Sequence, residues 1–143
     1  MPDILHSFPV KAPLQKVFDA ITLPEGLDQW WSKSSEGRPA LNETYQFHFG
    51  IPYDWEAVVS KCTGNTAFEW TMTDADFDWN GTKVGFSLDE REGVTNVEFY
   101  HSGWPEANDH FRISSFCWAM YLRILKRYIE LGETIEYGKR LSA

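Results

Sequence analysis

The sequence predicts an α+β domain in which an antiparallel sheet curls around one long C-terminal helix. Between residues 44 and 101 apolar side chains recur at every second position, in short rows separated by turn chemistry, which is the pattern of strands with one buried face. The stretch 113–131 instead follows the helical period. At 100° per residue its apolar side chains fill an arc of about 200°, wider than a surface helix needs. A curved sheet wrapped around such a helix covers an arc of that width.

Each element can be justified in order. Residues 4–10, Ile-Leu-His-Ser-Phe-Pro-Val, alternate as a first strand, with Pro9 suited to a sheet edge. Pro13 fits the start of a helix, where its missing donor costs nothing, and Leu14, Val17, Phe18 and Ile21 then share one helical face. Thr22, Leu23 and Pro24 interrupt it, and a second short helix from Pro24 groups Leu27, Trp30 and Trp31. Ser32 to Asn42 reads as a loop.

The strand rows follow. Tyr45, Phe47 and Phe49 share a face, opposite His48. Trp55, Ala57 and Val59 form the next row, then Phe68, Trp70 and Met72, opposite Glu69 and Thr71. Val84, Phe86 and Leu88 come next, then Val97, Phe99 and His101, with turns at Ile51-Pro52, Gly64-Asn65, Asn80-Gly81 and Glu92-Gly93. Gly103, in Ser102-Gly103-Trp104, lets the chain leave the sheet. The final helix presents Ile113, Cys117, Trp118, Met120, Tyr121, Leu122, Ile124, Leu125, Ile129 and Leu131 on its apolar arc, and Gly132 ends it.

Bulk properties narrow the function. The chain has 143 residues, enough for one core, and 21 acidic against 13 basic side chains give a charge of −8, which disfavours phosphate backbones and anionic lipid surfaces. Nucleic acid and membrane insertion are not expected. The N-terminus lacks the features of a signal peptide and the longest apolar run, Phe116 to Leu122, is too short to span a bilayer, so a cytoplasmic protein is expected. Cys62 and Cys117 have no metal or redox spacing and are expected as buried free thiols.

Chemical motifs are sparse. Asp74, Asp76, Asp78 and Asn80 alternate as in a calcium loop, but the sixth position is Trp79 and the twelfth Gly85, so the glycine turn and the bidentate glutamate are both missing. Phe77 and Trp79 are expected as exposed aromatics on this acidic loop. His6, His48, His101 and His110 have no metal spacing, and no phosphate-binding glycine loop is present; neither metal nor cofactor is expected. His101 alternates toward the helix, where it would be hydrogen-bonded at the end of the last strand or anchor a ligand.

The stretches "APLQKVFDAITLPEGLDQWW", "FEW", "HSGWPE" and "CWAMYLRILKRYIELGE", and above all His101-Ser102-Gly103 followed by Trp118, Leu122, Leu125 and Gly132, resemble the activator-of-heat-shock-protein-90-ATPase-like family. This family lies within the superfamily of START domains and the birch-pollen allergen. The resemblance spans essentially residues 1–143 and implies a helix-grip fold: six or seven strands around the C-terminal helix, two short helices closing one end. It also implies a space between sheet and helix, where superfamily relatives hold lipids, sterols, polyketides or plant metabolites and some catalyse cyclisation. The eukaryotic namesake instead binds the chaperone and stimulates its ATPase.

Seven Trp, six Tyr and ten Phe make the interior unusually aromatic. The expected cavity lining is Trp31, Phe47, Phe49, Trp55, Trp70, Phe86, Phe99, His101 and Trp104 from the helices, sheet and its exit, facing Cys117, Met120, Tyr121 and Ile124. An empty apolar void of roughly 200 Å³ would cost about 5 kcal/mol, so a small or mostly plugged pocket is expected. The function read from these residues is binding of a small hydrophobic or aromatic ligand. A chaperone-interacting module is the alternative, and a cyclase-type enzyme a third reading.

Overall fold

The computed structural model describes residues 1–143. Strand β1 (Ile4–Val10) leads into helices α1 (Leu14–Thr22) and α2 (Pro24–Trp30). Strands β2 (Ser34–Glu36), β3 (Thr44–His48), β4 (Asp54–Thr63), β5 (Ala67–Asp74), β6 (Lys83–Arg91) and β7 (Val94–Ser102) follow, then helix α3 (Asp109–Leu131) and a 3₁₀ turn at Tyr137–Ser142. All seven strands join one antiparallel sheet in the order β1-β7-β6-β5-β4-β3-β2. This is the helix-grip architecture. Residues 34–36, expected within a loop, form a short edge strand because they pair with Gln46 to His48 of β3.

Local chemistry explains the element ends. Pro13 sits at the N-cap of α1, and Leu23 both closes α1 and opens α2. The two helices approach so closely that a side chain at Gly26 would lie 2.7 Å from the Ala20 backbone, and Trp30 Nε1 donates to Ala20 O at 2.9 Å. Asn108 Oδ1 accepts from Phe111 N at the start of α3, and Gly132, with φ of 69°, ends it in the left-handed conformation only glycine adopts freely. Register shifts at Glu56/Ala57 and Val59/Lys61 bend β4, as bulges do, and help the sheet to curl.

The sheet does not cover the whole apolar arc of α3. Trp118, Leu122, Ile124, Leu125 and Ile129 are buried, whereas Ile113 and Leu131, placed on the same arc, are exposed, as is Phe116 at 79 %. The outer face of the sheet carries its own buried group. Glu69 is covered because Tyr100 lies across Gly85, the glycine that separates them in register, and donates its hydroxyl to the carboxylate. Ser60 donates to the same carboxylate at 2.7 Å, and Lys61 and Lys83 stand 4.0 and 3.8 Å away. His48, on the same outer side, sits between Asp54 and Glu36 at 2.8 and 3.0 Å, and these carboxylates hold its pKa above the ordinary value. No helix is long and apolar enough to cross a membrane.

Candidate functional site

The space between sheet and helix divides in two. Its deep part is filled: Phe47 meets Trp70, Trp70 meets Phe86 and Phe86 meets Phe99 ring against ring, Phe99 rests on Trp118, and Trp104 is buried beside His101 and Trp79. At one end it opens into a cavity of about 640 Å³ between β3–β4, the 75–80 loop, the first half of α3 and the C-terminal 3₁₀ turn. Five aromatic side chains of its wall form a closed circle. Ring centroids are separated by 5.2 Å from Trp31 to Phe49, 4.9 Å on to Trp55 and 4.9 Å on to Trp79. A further 5.8 Å leads to Trp118, and 5.2 Å returns to Trp31. Tyr121 and Tyr137 continue the wall, and Tyr137 is fixed by donating its hydroxyl to Phe49 O at 2.8 Å.

The expected lining residues are thus distributed over three places. Trp31, Phe49, Trp55, Cys117 and Tyr121 line the open cavity. Phe47, Trp70, Phe86, Phe99, His101 and Trp104 belong to the sealed interior. Met120 and Ile124 lie elsewhere on α3, in a groove beside Ile135 and the C-terminal Ala143, because the helix is broader in apolar surface than the sheet that grips it. Both cysteines are half-buried rather than buried, and Cys62 Sγ contacts Pro39 O at 3.4 Å. Trp79, expected to be exposed, is only 7 % exposed: its ring is drawn in against Trp55, Trp118 and His101, and Nε1 donates to Ser114 Oγ at 3.3 Å. Its neighbour Phe77 is exposed.

His101 is a structural post. Trp118 Nε1 donates to its Nδ1 at 3.1 Å, and Nε2 lies 2.8 Å from Thr82 Oγ1, whose hydroxyl donates to Trp79 O. This chain requires a neutral ring protonated on Nε2. Burial, with a smaller contribution from His110, lowers the pKa to about 3. Both nitrogens are engaged within the fold, so His101 holds Trp79 and Trp118 in place and is itself walled off from the cavity.

The polar groups that do reach the cavity are of another kind. Burial pushes the Tyr121 hydroxyl up to about 12 and the Cys117 thiol above its usual value, so both are neutral donors at neutral pH. At the mouth, His110 Nδ1 is 3.1 Å from Asp78 and Nε2 is 3.9 Å from Asp76. The spacing of His110, Ser114, Cys117 and Tyr121 places all four on one face of α3, a signal present in the sequence but hidden behind the larger aromatic pattern. Tyr137 and Leu141 arrive from the tail, which carries no periodicity to announce them.

A family model described as Activator of Hsp90 ATPase homolog 1-like protein matches residues 11–130. The chain belongs to this family. Among solved structures, that of the Aha1 dimer from Colwellia psychrerythraea superposes on this member with a TM-score of 0.83 at 30 % identity, over 93 % of this chain and 99 % of that one. Protein SSP2350 from Staphylococcus saprophyticus shares the fold at 22 % identity and a TM-score of 0.79, over 94 % of this chain and 96 % of that one. CalU16 from Micromonospora echinospora shares it at 16 % identity and a TM-score of 0.74, over 98 % and 81 %. No curated protein matches the chain.

Proposed function

We propose that this member of the activator family binds a small hydrophobic or aromatic ligand at the open end of the helix grip. The observation that carries the reading is the cavity of about 640 Å³ whose wall includes the closed circle of five aromatic rings. A concave, mostly apolar space of a few hundred Å³ with a few convergent polar groups is the usual form of a small-molecule site. Tyr121 and Cys117 supply donors along one wall, and the buried His101 post keeps two of the rings fixed. Native mass spectrometry of the purified protein, followed by a thermal-shift screen of aromatic and acyl compounds, tests the proposal. A retained or stabilising compound is expected; a chain that holds nothing and is shifted by no member of the screen contradicts it.

A second reading, a module that engages a chaperone ATPase, is favoured by the family's description and by the exposed row Ile113, Phe116 and Arg123 on α3. That row makes an apolar strip with a positive end on an otherwise acidic molecule, which suits a protein partner. Saturable stimulation of a chaperone's ATP turnover is its expected result, and a flat titration rejects it.

A further inference from the structure

We infer that the cavity selects an organic ammonium, a quaternary or alkylated amine carried on an apolar or aromatic body. The inference rests on the ligand-binding reading and adds the sign of the ligand's charge. Trp31, Phe49, Trp55, Trp79 and Trp118 put electron-rich rings on the wall, four of them indoles, the rings that attract a cation most strongly; Phe49 and Trp55 are half-buried, and Trp31, Trp79 and Trp118 are exposed only at their edge of the cavity. No lysine or arginine lines the cavity.

The one carboxylate on the lining is Asp76, and its ion-pair partner within the chain, His110 Nε2, stands back at 3.9 Å. Asp78 is different: its carboxylate is already used by His110 Nδ1 at 3.1 Å and Asn108 Nδ2 at 3.2 Å. Arg140, behind the wall residue Tyr137, lies over that ring at 5.4 Å, and its N–H groups are taken by the carbonyls of Ile135, Ser32 and Asp28. It is therefore committed to backbone partners inside the fold and makes no ion pair with Asp76. An anion entering this cavity would find the donors of Tyr121 and Cys117 but also aromatic rings and the Asp76 carboxylate; a cation would meet attraction from the rings and the carboxylate, and the net charge of −8 raises its local concentration further.

The test uses two isosteres that differ only in charge, phenyltrimethylammonium and tert-butylbenzene, titrated into the protein while the tryptophan indole N–H resonances are followed by NMR. The cation is expected to bind about tenfold more tightly than the neutral compound, and Asp76→Asn, on a partly exposed loop, to reduce the cation's affinity about threefold or more without changing the neutral compound's. Equal or tighter binding of tert-butylbenzene overturns the charge preference and leaves the apolar site standing. An undiminished preference in Asp76→Asn overturns the assignment of its carboxylate. If neither compound moves a lining tryptophan, both the preference and the site itself are refuted.

Discussion

Two aromatic regions of this domain are built from the same kinds of side chain and differ in what covers them. Around Trp70, Phe86 and Phe99 the rings meet edge to face, Phe86 with Phe99 at 5.3 Å and Phe68 with Trp70 at 5.0 Å, and sheet, α2 and α3 close over them. Around Phe49 and Trp55 the rings are equally close, at 4.9 Å, but both are half-buried because the sheet ends there and only a loop and the 3₁₀ turn stand beyond. The difference lies in what covers the rings. Aromatic content alone therefore does not distinguish a closed core from an open cavity; position relative to the end of the sheet does.

The comparison can be broken from either side. The largest effect is expected in the sealed region: Phe86→Ala should cost about 3–5 kcal/mol in chemical denaturation, because a well-packed interior relaxes little around the void. A cost below that of an exposed truncation would show that the interior is not closed.

The His101 post gives the next effect, in pH. Folding lowers its pKa from 6.5 to about 3, so its contribution is fully present above 6.5 and is lost as the pH falls toward 3, when the unfolded chain takes up a proton that the folded chain refuses. Stability should drop by about 2 kcal/mol between pH 6.5 and 5, at roughly 1.4 kcal/mol per unit, and His101→Gln should flatten that slope. His48 acts in the opposite sense: its raised pKa adds stability on the acid side that is lost as pH rises, but it is largely solvated and the effect is small.

The outer face gives an effect of comparable size. In Gly85→Ala the new methyl group falls within the Tyr100 ring, which must leave Glu69, at a cost of about 2 kcal/mol; Tyr100→Phe should reproduce much of it. The mildest change is at the open end, where Trp55→Ala should lower stability by only about 1 kcal/mol yet abolish ligand-induced thermal shifts. If Trp55→Ala costs as much stability as Phe86→Ala, the two regions are one core.

Much of this was legible in residue order. Alternation in 44–49 and 84–88 marks strands because a half-buried sheet imposes a period of two, and Gly132 marks the end of α3 through its positive φ. The edge strand at 34–36 was not legible, since three polar residues carry no alternation and pair only because β3 offers a free edge. Phe47 and Phe49 are indistinguishable in sequence, both on one face of the β3 row, yet Phe47 is sealed and Phe49 opens on the cavity because it lies past the last paired residue, His48. Trp79 was hidden for a related reason: an acidic, turn-rich context reads as solvated, while the His101 and Trp118 rings that draw it inward come from distant segments.

The most direct test of the central claim is an NMR titration with a small aromatic compound that follows the indole N–H resonances of all seven tryptophans. Saturable shifts at Trp31, Trp55 and Trp79, with Trp70 and Trp104 unmoved, are expected of an open site beside a closed core. Equal shifts at Trp70, or no shift at Trp55, would contradict it.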